Sequence, residues 1–312
     1  MTTIDPGSRR SAETAGPAVA ALLRGLVDYA GLFPPAGLGM PEAVECYARH
    51  RREPHAWVLG RFVVPAARLA EFERAWSALS PDARNSTPWP LSVLAAPPLD
   101  QAFDAIARFN ARHAASGARV DTVELSPDVP VDAWRRAPVP GSVPLRVFAE
   151  CLADANLGAR LPPIRAAGGA AKIRTGGTTA EAIPTAPALA RFIDACARLR
   201  LPFKATAGLH HPVRAQHALT YAADAPRATM HGFLNVFVAA TLAHAEGLGA
   251  GHLAAILEES DPQAFTLEPS DIRWRAYRVE AARIAAAREF AVSFGSCSFD
   301  EPLRDLHTLG WL

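Results

Sequence analysis

The strongest constraint on the fold is an alternation that starts near residue 57 and runs through most of the chain. Short apolar runs rich in β-branched residues trade places with longer alanine- and leucine-rich stretches whose apolar positions recur at helical spacing. "WVLGRFVVP" (57–65) precedes "AARLAEFERAWSAL", in which Leu69, Phe72 and Trp76 share one stripe. "LSVLAA" (91–96) precedes "LDQAFDAIARFNARHAAS", and "VDTVELS" (120–126) precedes a short helix around "VDAWRR". "PLRVFAE" (144–150), "AAKIRTG" (170–176) and "PFKATAG" (202–208) continue the series. This is the rhythm of repeated βα units.

After His211 the rhythm changes. "MHGFLNVFVAATLAHAEG" and "GHLAAILEES" read as helices, and "AFTLE" (264–268) is a weak strand. "SDIRWRAYRVEAARIAAAREF" reads as one long helix leading to a last strand-like run, "AVSFGSCSF" (291–299). Ahead of the series stand a polar first segment, a helix over about 16–30, and the loop "DYAGLFPPAGLGM". Six clear strands with one weak and one terminal candidate predict an α/β fold, a (β/α)8 TIM-like barrel. Its 312 residues suit one barrel of about 250 residues with extensions. The expected partition is a flexible N-terminus over 1–15 and a single barrel domain over 16–312. Within the latter, 16–56 forms an N-terminal helical cap, and about 212–290 forms a helical insertion before the last strand. An open doubly wound sheet is the alternative.

Composition excludes several roles. The net charge is +1 with no basic block, so no nucleic-acid partner is expected. No apolar run approaches the ~20 residues that span a bilayer, and the polar start lacks a signal peptide's apolar core, so no membrane is expected and the location is cytoplasmic. The four cysteines form no CxxC pair and read as free thiols. Cys297 reads as core or pocket wall, because no histidine lies near it in sequence.

Strand parity collects the polar residues. Alternate residues of a strand share a face, so Thr122, Glu124 and Ser126 oppose Val123 and Leu125, and Arg146, Phe148 and Glu150 oppose Leu145 and Val147. Lys172 and Arg174 likewise oppose Ala171 and Ile173, and Lys204 and Thr206 oppose Phe203 and Ala205. Four successive strands therefore each offer one apolar face to covering helices and one charged face. In a barrel the charged faces point inward at the strands' C-terminal ends, where such folds carry their chemistry. Only two of the 32 basic residues are lysines, Lys172 and Lys204. Arginine would serve a structural ion pair at least as well, whereas a lysine amine, once deprotonated beside another cation or by desolvation, attacks carbonyl carbon.

Three segments resemble the deoxyribose-phosphate aldolases. "KIRTGG" resembles their Lys-Thr-Ser-Thr-Gly motif, "FKATAGLH" resembles Lys-Ala-Ala-Gly-Gly-Ile-Arg, and "FGSCSF" resembles the Gly-Thr-Ser-Ser run of the final strand, all in the family's order. The resemblance implies a class I, Schiff-base aldolase in which Lys172 is the nucleophile, Lys204 lowers its pKa, and Gly295, Ser296 and Ser298 lie near an anionic group of the substrate. Arg174 and His210 depart from the family's pattern, as does the ninety-residue gap before "FGSCSF".

The expected activity is thus a lyase of aldolase type acting on a small anionic carbonyl compound without a cofactor. Its catalytic set is Lys172, Lys204, Glu124, Glu150 and His210. Arg174, Gly176, Gly177, Thr206, His211, His231, Asn235, Ser296 and Ser298 are the substrate-binding candidates. "GGTTAE" (176–181) has a capping-box pattern at Thr178 and Glu181, His210 and His211 fall in a βα loop, and His231 and Asn235 stand one helical turn apart. In "VDYAGLFPPAGLG" either Asp28 or Tyr29 reaches substrate or the loop packs as a cap. Two alternatives stay open: a barrel enzyme whose divalent metal ion is held by Glu124, Glu150 and His210, and a non-catalytic barrel that binds a small molecule. Self-association into homo-oligomers is compatible with each.

Overall fold

The computed structural model describes residues 15–84, 88–115, 117–136 and 143–312. The segment 1–15, expected to be a loose terminus, lies outside the described residues except for Ala15. Eight parallel strands close into a barrel: β1 (Val27–Tyr29), β2 (Leu59–Pro65), β3 (Trp89–Ala95), β4 (Ala118–Leu125), β5 (Arg146–Cys151), β6 (Ala170–Arg174), β7 (Phe203–Thr206) and, after an excursion, β13 (Ala291–Ser296). Each strand pairs with its neighbour in chain order, and β13 completes the circle between β7 and β1. The fold is therefore the (β/α)8 barrel expected from the alternation, with extra helices and two small sheets.

Helices cover the outside because the strands' outward residues are apolar. Tyr47, Phe62, Phe72, Trp89 and Phe109 are all at most 1% exposed, and they join the helices Met40–His50, Leu69–Ala78 and Leu99–His113 to β2 and β3 through a chain of ring contacts. Each ring fully buried there contributes on the order of 1.5–3 kcal/mol of transfer free energy. Among the described residues, no helix is long and apolar enough to cross a membrane.

The N-terminal segment differs from the expected cap. Its helix ends at Leu23, and after Gly25, which sits at φ 58°, the chain enters β1. Residues 16–56 thus contain the barrel's first strand, with the helix Met40–His50 after it. Three residues are too few to display alternation, and all three are buried, so the strand has no pattern to read.

The excursion between β7 and β13 also differs from an all-helical insertion. It opens with an antiparallel hairpin, β8 (Ala215–Ala218) and β9 (Arg227–Met230). The helix Phe233–Glu246 follows, buried along its whole length from Phe233 to Ala243, and it packs against the helix Ala186–Leu199 and β13. It fills the place of the regular helix between the last two barrel strands. "AFTLE" contributes β10 (Phe265–Leu267), which joins β11 (Asp271–Trp274) and β12 (Tyr277–Glu280) in a separate antiparallel sheet outside the barrel. The expected long helix is therefore two strands followed by the helix Ala281–Phe290. Ile272 and Trp274 are buried and Arg273 is exposed, a period of two concealed by helix-favouring composition.

At the C-terminal mouth the loops after β6 and β7 touch backbone to backbone. A Cβ on Gly176 would stand 2.7 Å from the Gly208 Cα, and Gly208 itself has φ 78°. Gly176 is thus a packing glycine that sets the spacing of these loops. A Gly176→Ala substitution is expected to destabilise the protein by about 1–3 kcal/mol through overpacking, read as a lower urea midpoint at unchanged slope.

Candidate functional site

A cavity of about 330 Å³ opens at the C-terminal ends of the strands. Its walls come from almost every part of the barrel: Ala30, Phe33 and Pro34 after β1, Leu94 of β3, Thr206 of β7, and Gly295 at the end of β13. The hairpin β8–β9 and its connection lean over the opening through Leu219, Tyr221 and Met230. This is the end of a barrel at which loops vary and chemistry is placed.

The floor is a buried array of alternating charges. Glu150, Lys172 and Lys204 sit side by side in register on β5, β6 and β7. Lys172 Nζ lies 2.8 Å from Glu150 Oε2 and 3.4 Å from Glu124 Oε2. Lys204 Nζ donates to the other Glu124 oxygen at 2.5 Å and to Asp28 Oδ2 at 2.7 Å. The two amines therefore share one carboxylate, one oxygen each. Arg174 Nε approaches Glu150 Oε1 at 3.6 Å from the half-exposed rim. Three acids thus face three bases.

Supporting bonds fix these groups. Ser92 Oγ donates to Glu124 at 2.7 Å, Ser293 Oγ donates to Asp28 at 2.7 Å, and the Arg61 backbone N–H donates to Asp28 at 2.7 Å. Burial by itself would raise the Glu124 carboxyl, but Lys204 and then Lys172 outweigh it and hold the group at about 2. Burial likewise opposes the Lys204 charge, yet Asp28 and Glu124 overcome that and raise its pKa. Lys204 is fully enclosed, whereas Lys172 reaches the cavity floor beside Glu124. Lys204 is accordingly a fixed ammonium that keeps Glu124 ionised, and Lys172 is the amine that faces the cavity.

A second group occupies the wall. His210, in the loop after β7, is bonded through Nδ1 to Glu301 Oε2 at 2.7 Å, and its Nε2 lies 3.9 Å from Cys297 Sγ. Tyr221, from the hairpin connection, donates to Glu301 at 3.2 Å and stands 3.7 Å from the same sulfur. Burial pulls the His210 imidazole down, but its bonds to Cys297 and Glu301 prevail and lift it to about 9. His211 is held by Asp305 at 2.6 Å and stacks on His217 with ring centres 3.4 Å apart. Burial, then His211, pushes His217 down to about 4, which leaves it neutral at pH 7.

Of the substrate-binding candidates, Arg174, Gly177, Thr206 and His211 line the cavity. The Thr206 hydroxyl is buried without a protein partner, an available donor and acceptor. Others are drawn into structural work. Asn235 donates to the Ile256 and Glu259 carbonyls at 2.7 and 2.8 Å and accepts from Arg214 N, tying the helix Phe233–Glu246 to its neighbours. His231 Nε2 is bonded to the Pro184 carbonyl at 2.7 Å, away from the cavity lining. Ser296 Oγ accepts from Ser298 N, and Ser298 Oγ accepts from Glu301 N, so both serve the turn into the last helix, Asp300–Thr308. The expected capping box at Thr178 is replaced by a 3₁₀ turn, Ala180–Ala182, with no side-chain cap.

Glu124, Glu150 and His210 do not form a ligand set. The two glutamates face lysines and the histidine faces Glu301. Among the described residues, the three groups that converge closely enough for a cation are His50, Glu53 and Asp300, and the cavity lining includes none of them. Sequence reasoning missed Asp28 as a partner of Lys204, and it missed Ser92, Ser293, Glu301 and Tyr221; Cys297, expected as core or pocket wall, lines the cavity. No protein-family model matches the chain, and no curated protein matches it.

Removing the Lys204 amine would leave Asp28 without its ammonium partner and Glu124 with Lys172 alone. Lys204→Met is expected to cost about 3–5 kcal/mol at pH 7. Glu124 has a depressed folded-state pKa, so its stabilisation is present above about 4.5 and is lost as pH falls toward 2. Without Lys204 the carboxyls take up protons at higher pH, and the difference between wild type and variant should narrow from pH 7 to pH 4 in urea titrations.

Proposed function

We propose that this chain is a barrel lyase of the aldolase type, in which Lys172 forms an imine with a small anionic carbonyl compound. The observation that carries the reading is the position of Lys172: it is the only lysine that meets the cavity, and carboxylates stand on either side of it. Barrels of this kind are commonly enzymes, with reacting groups on strand ends facing one mouth.

Glu150, 2.8 Å from the amine, is the group placed to accept its proton. The free amine adds to the carbonyl carbon, forming a C–N bond while the carbonyl oxygen takes up a proton. Loss of that oxygen as water leaves an iminium. As a base takes the proton of the hydroxyl on the β-carbon, the bond between the α- and β-carbons breaks, its electron pair passing toward the iminium to form an enamine while the β-carbon departs as a carbonyl compound. The enamine takes up a proton at the α-carbon, and water then adds to the iminium carbon, releasing the second product and restoring the amine. Glu124 is the fixed counter-charge for the iminium, because Lys204 holds it ionised. Arg174 at the rim and the unpartnered Thr206 hydroxyl suit an anionic, oxygen-rich ligand.

Borohydride reduction with a panel of small aldehydes, 2-oxo acids and phosphorylated ketoses tests the reading. A reduced adduct is expected on the peptide that contains Lys172. Lys172→Arg, folded by circular dichroism, should lose the adduct and lower turnover on the order of 10⁴-fold or more. Absence of an adduct across the panel, or an adduct only elsewhere, overturns the imine. Ligand affinity without turnover or trapping would instead support a binding barrel.

A further inference from the structure

We propose that Cys297, His210 and Glu301 form a second nucleophilic centre on the cavity wall, one that takes the acyl group of a small activated ester or thioester. The inference stands apart from the imine at Lys172, since it rests on different side chains from different elements. Cys297 directly follows β13, His210 follows β7, and Glu301 lies in the first turn of the last helix. All three line the same cavity.

The roles follow from which atom meets which. Glu301 binds Nδ1 of the imidazole, at 2.7 Å, and so directs Nε2 at the thiol. The 3.9 Å separation of Nε2 from Sγ is long, as nucleophile–base contacts often are before a ligand settles the geometry. A nucleophile, a base and a group that orients the base are the three parts of an activated nucleophile, on whatever fold they occur. The other buried thiols have no such surroundings. Burial pushes Cys151 up to about 12 and Cys196 well above the ordinary thiol value, and neither meets the cavity. The charged and titratable groups facing Cys297 are His210, Tyr221 from the hairpin connection and Tyr29 from β1, with Glu301 of the last helix bonded behind the first two. Only His210 among them carries a positive charge, and its bond to Glu301 keeps it beside the sulfur.

In the reacting form the thiol proton already sits on His210, and the thiolate of this ion pair attacks the acyl carbon. The S–C bond forms, the bond to the leaving oxygen or sulfur breaks, and that atom departs with the proton from His210. Water, giving its own proton to His210, then displaces the sulfur and yields a carboxylic acid. No oxidant or metal enters the balance.

The test uses the full chain and p-nitrophenyl acetate. A burst of p-nitrophenolate is expected, approaching one per chain, with the acetyl group on the Cys297 peptide by mass spectrometry. His210→Gln should slow the burst about 10²-fold, and Glu301→Gln should slow it less. Cys297→Ala should abolish it while leaving borohydride trapping at Lys172 unchanged, so failure of one centre is distinguishable from failure of the other. Acetylation at Lys172 or spread over the surface, or a burst of wild-type rate in His210→Gln, overturns the proposal. If the variants fail to fold, wild-type protein with limiting iodoacetamide at pH 7 decides: labelling of Cys297 at least about tenfold faster than Cys46 supports an activated thiol, and equal labelling overturns it.

Discussion

The interior of this barrel depends on a single carboxylate shared by two amines. Glu124 gives one oxygen to Lys204 and the other to Lys172, and around this pair Asp28, Glu150 and Arg174 complete a chain of alternating charge. Burying any one of these ions alone would cost several kcal/mol, and the array persists because each charge faces an opposite one at short range. Such arrays seldom stabilise a protein more than apolar packing would. Its presence at the cavity floor therefore makes more sense as a device that positions an amine than as a device that holds the barrel together.

The walls have a different origin. The floor is made by strands, whose parity and register bring the opposite charges to between 2.5 and 3.6 Å of one another. The thiol, imidazole and carboxylate on the wall come from a strand end, a loop and a helix start, and the excursion between β7 and β13 lays Tyr221 across them. On the proposed reading one mouth serves both an amine and a sulfur, and the loops after β6 and β7 that frame it meet backbone to backbone at Gly176 and Gly208.

How much of this was legible in the sequence follows from the physics of each element. The barrel and four of its floor residues, Glu124, Glu150, Lys172 and Lys204, were readable because a strand repeats every two residues and the covering helices require an apolar outer face. Asp28 was visible only as an acid in a stiff loop, since a three-residue strand has no period. The same alternation, applied to β13, puts Ser293, Gly295 and Cys297 on one face, whereas the resemblance to aldolases pointed to Gly295 alone on that face and to Ser296 and Ser298 on the other. Cys297 lies 87 residues from His210, a contact that only the closed barrel creates. Asn235 and His231 have the polar character of site residues, but main-chain carbonyls of neighbouring elements claim them.

The bond between Lys204 and Asp28 joins residues 176 positions apart, one on the first barrel strand and one on the seventh. Ser293, on the last strand, completes it. Until β1 has docked between β2 and β13, the amine on β7 lacks half of its counter-charge, and sealing it under helices is unfavourable. Ring closure and charge neutralisation are therefore one event in the folding of this chain. A fragment that ends before β13 lacks the strand that joins β7 to β1, and with it the closure that surrounds the Lys204–Asp28 pair.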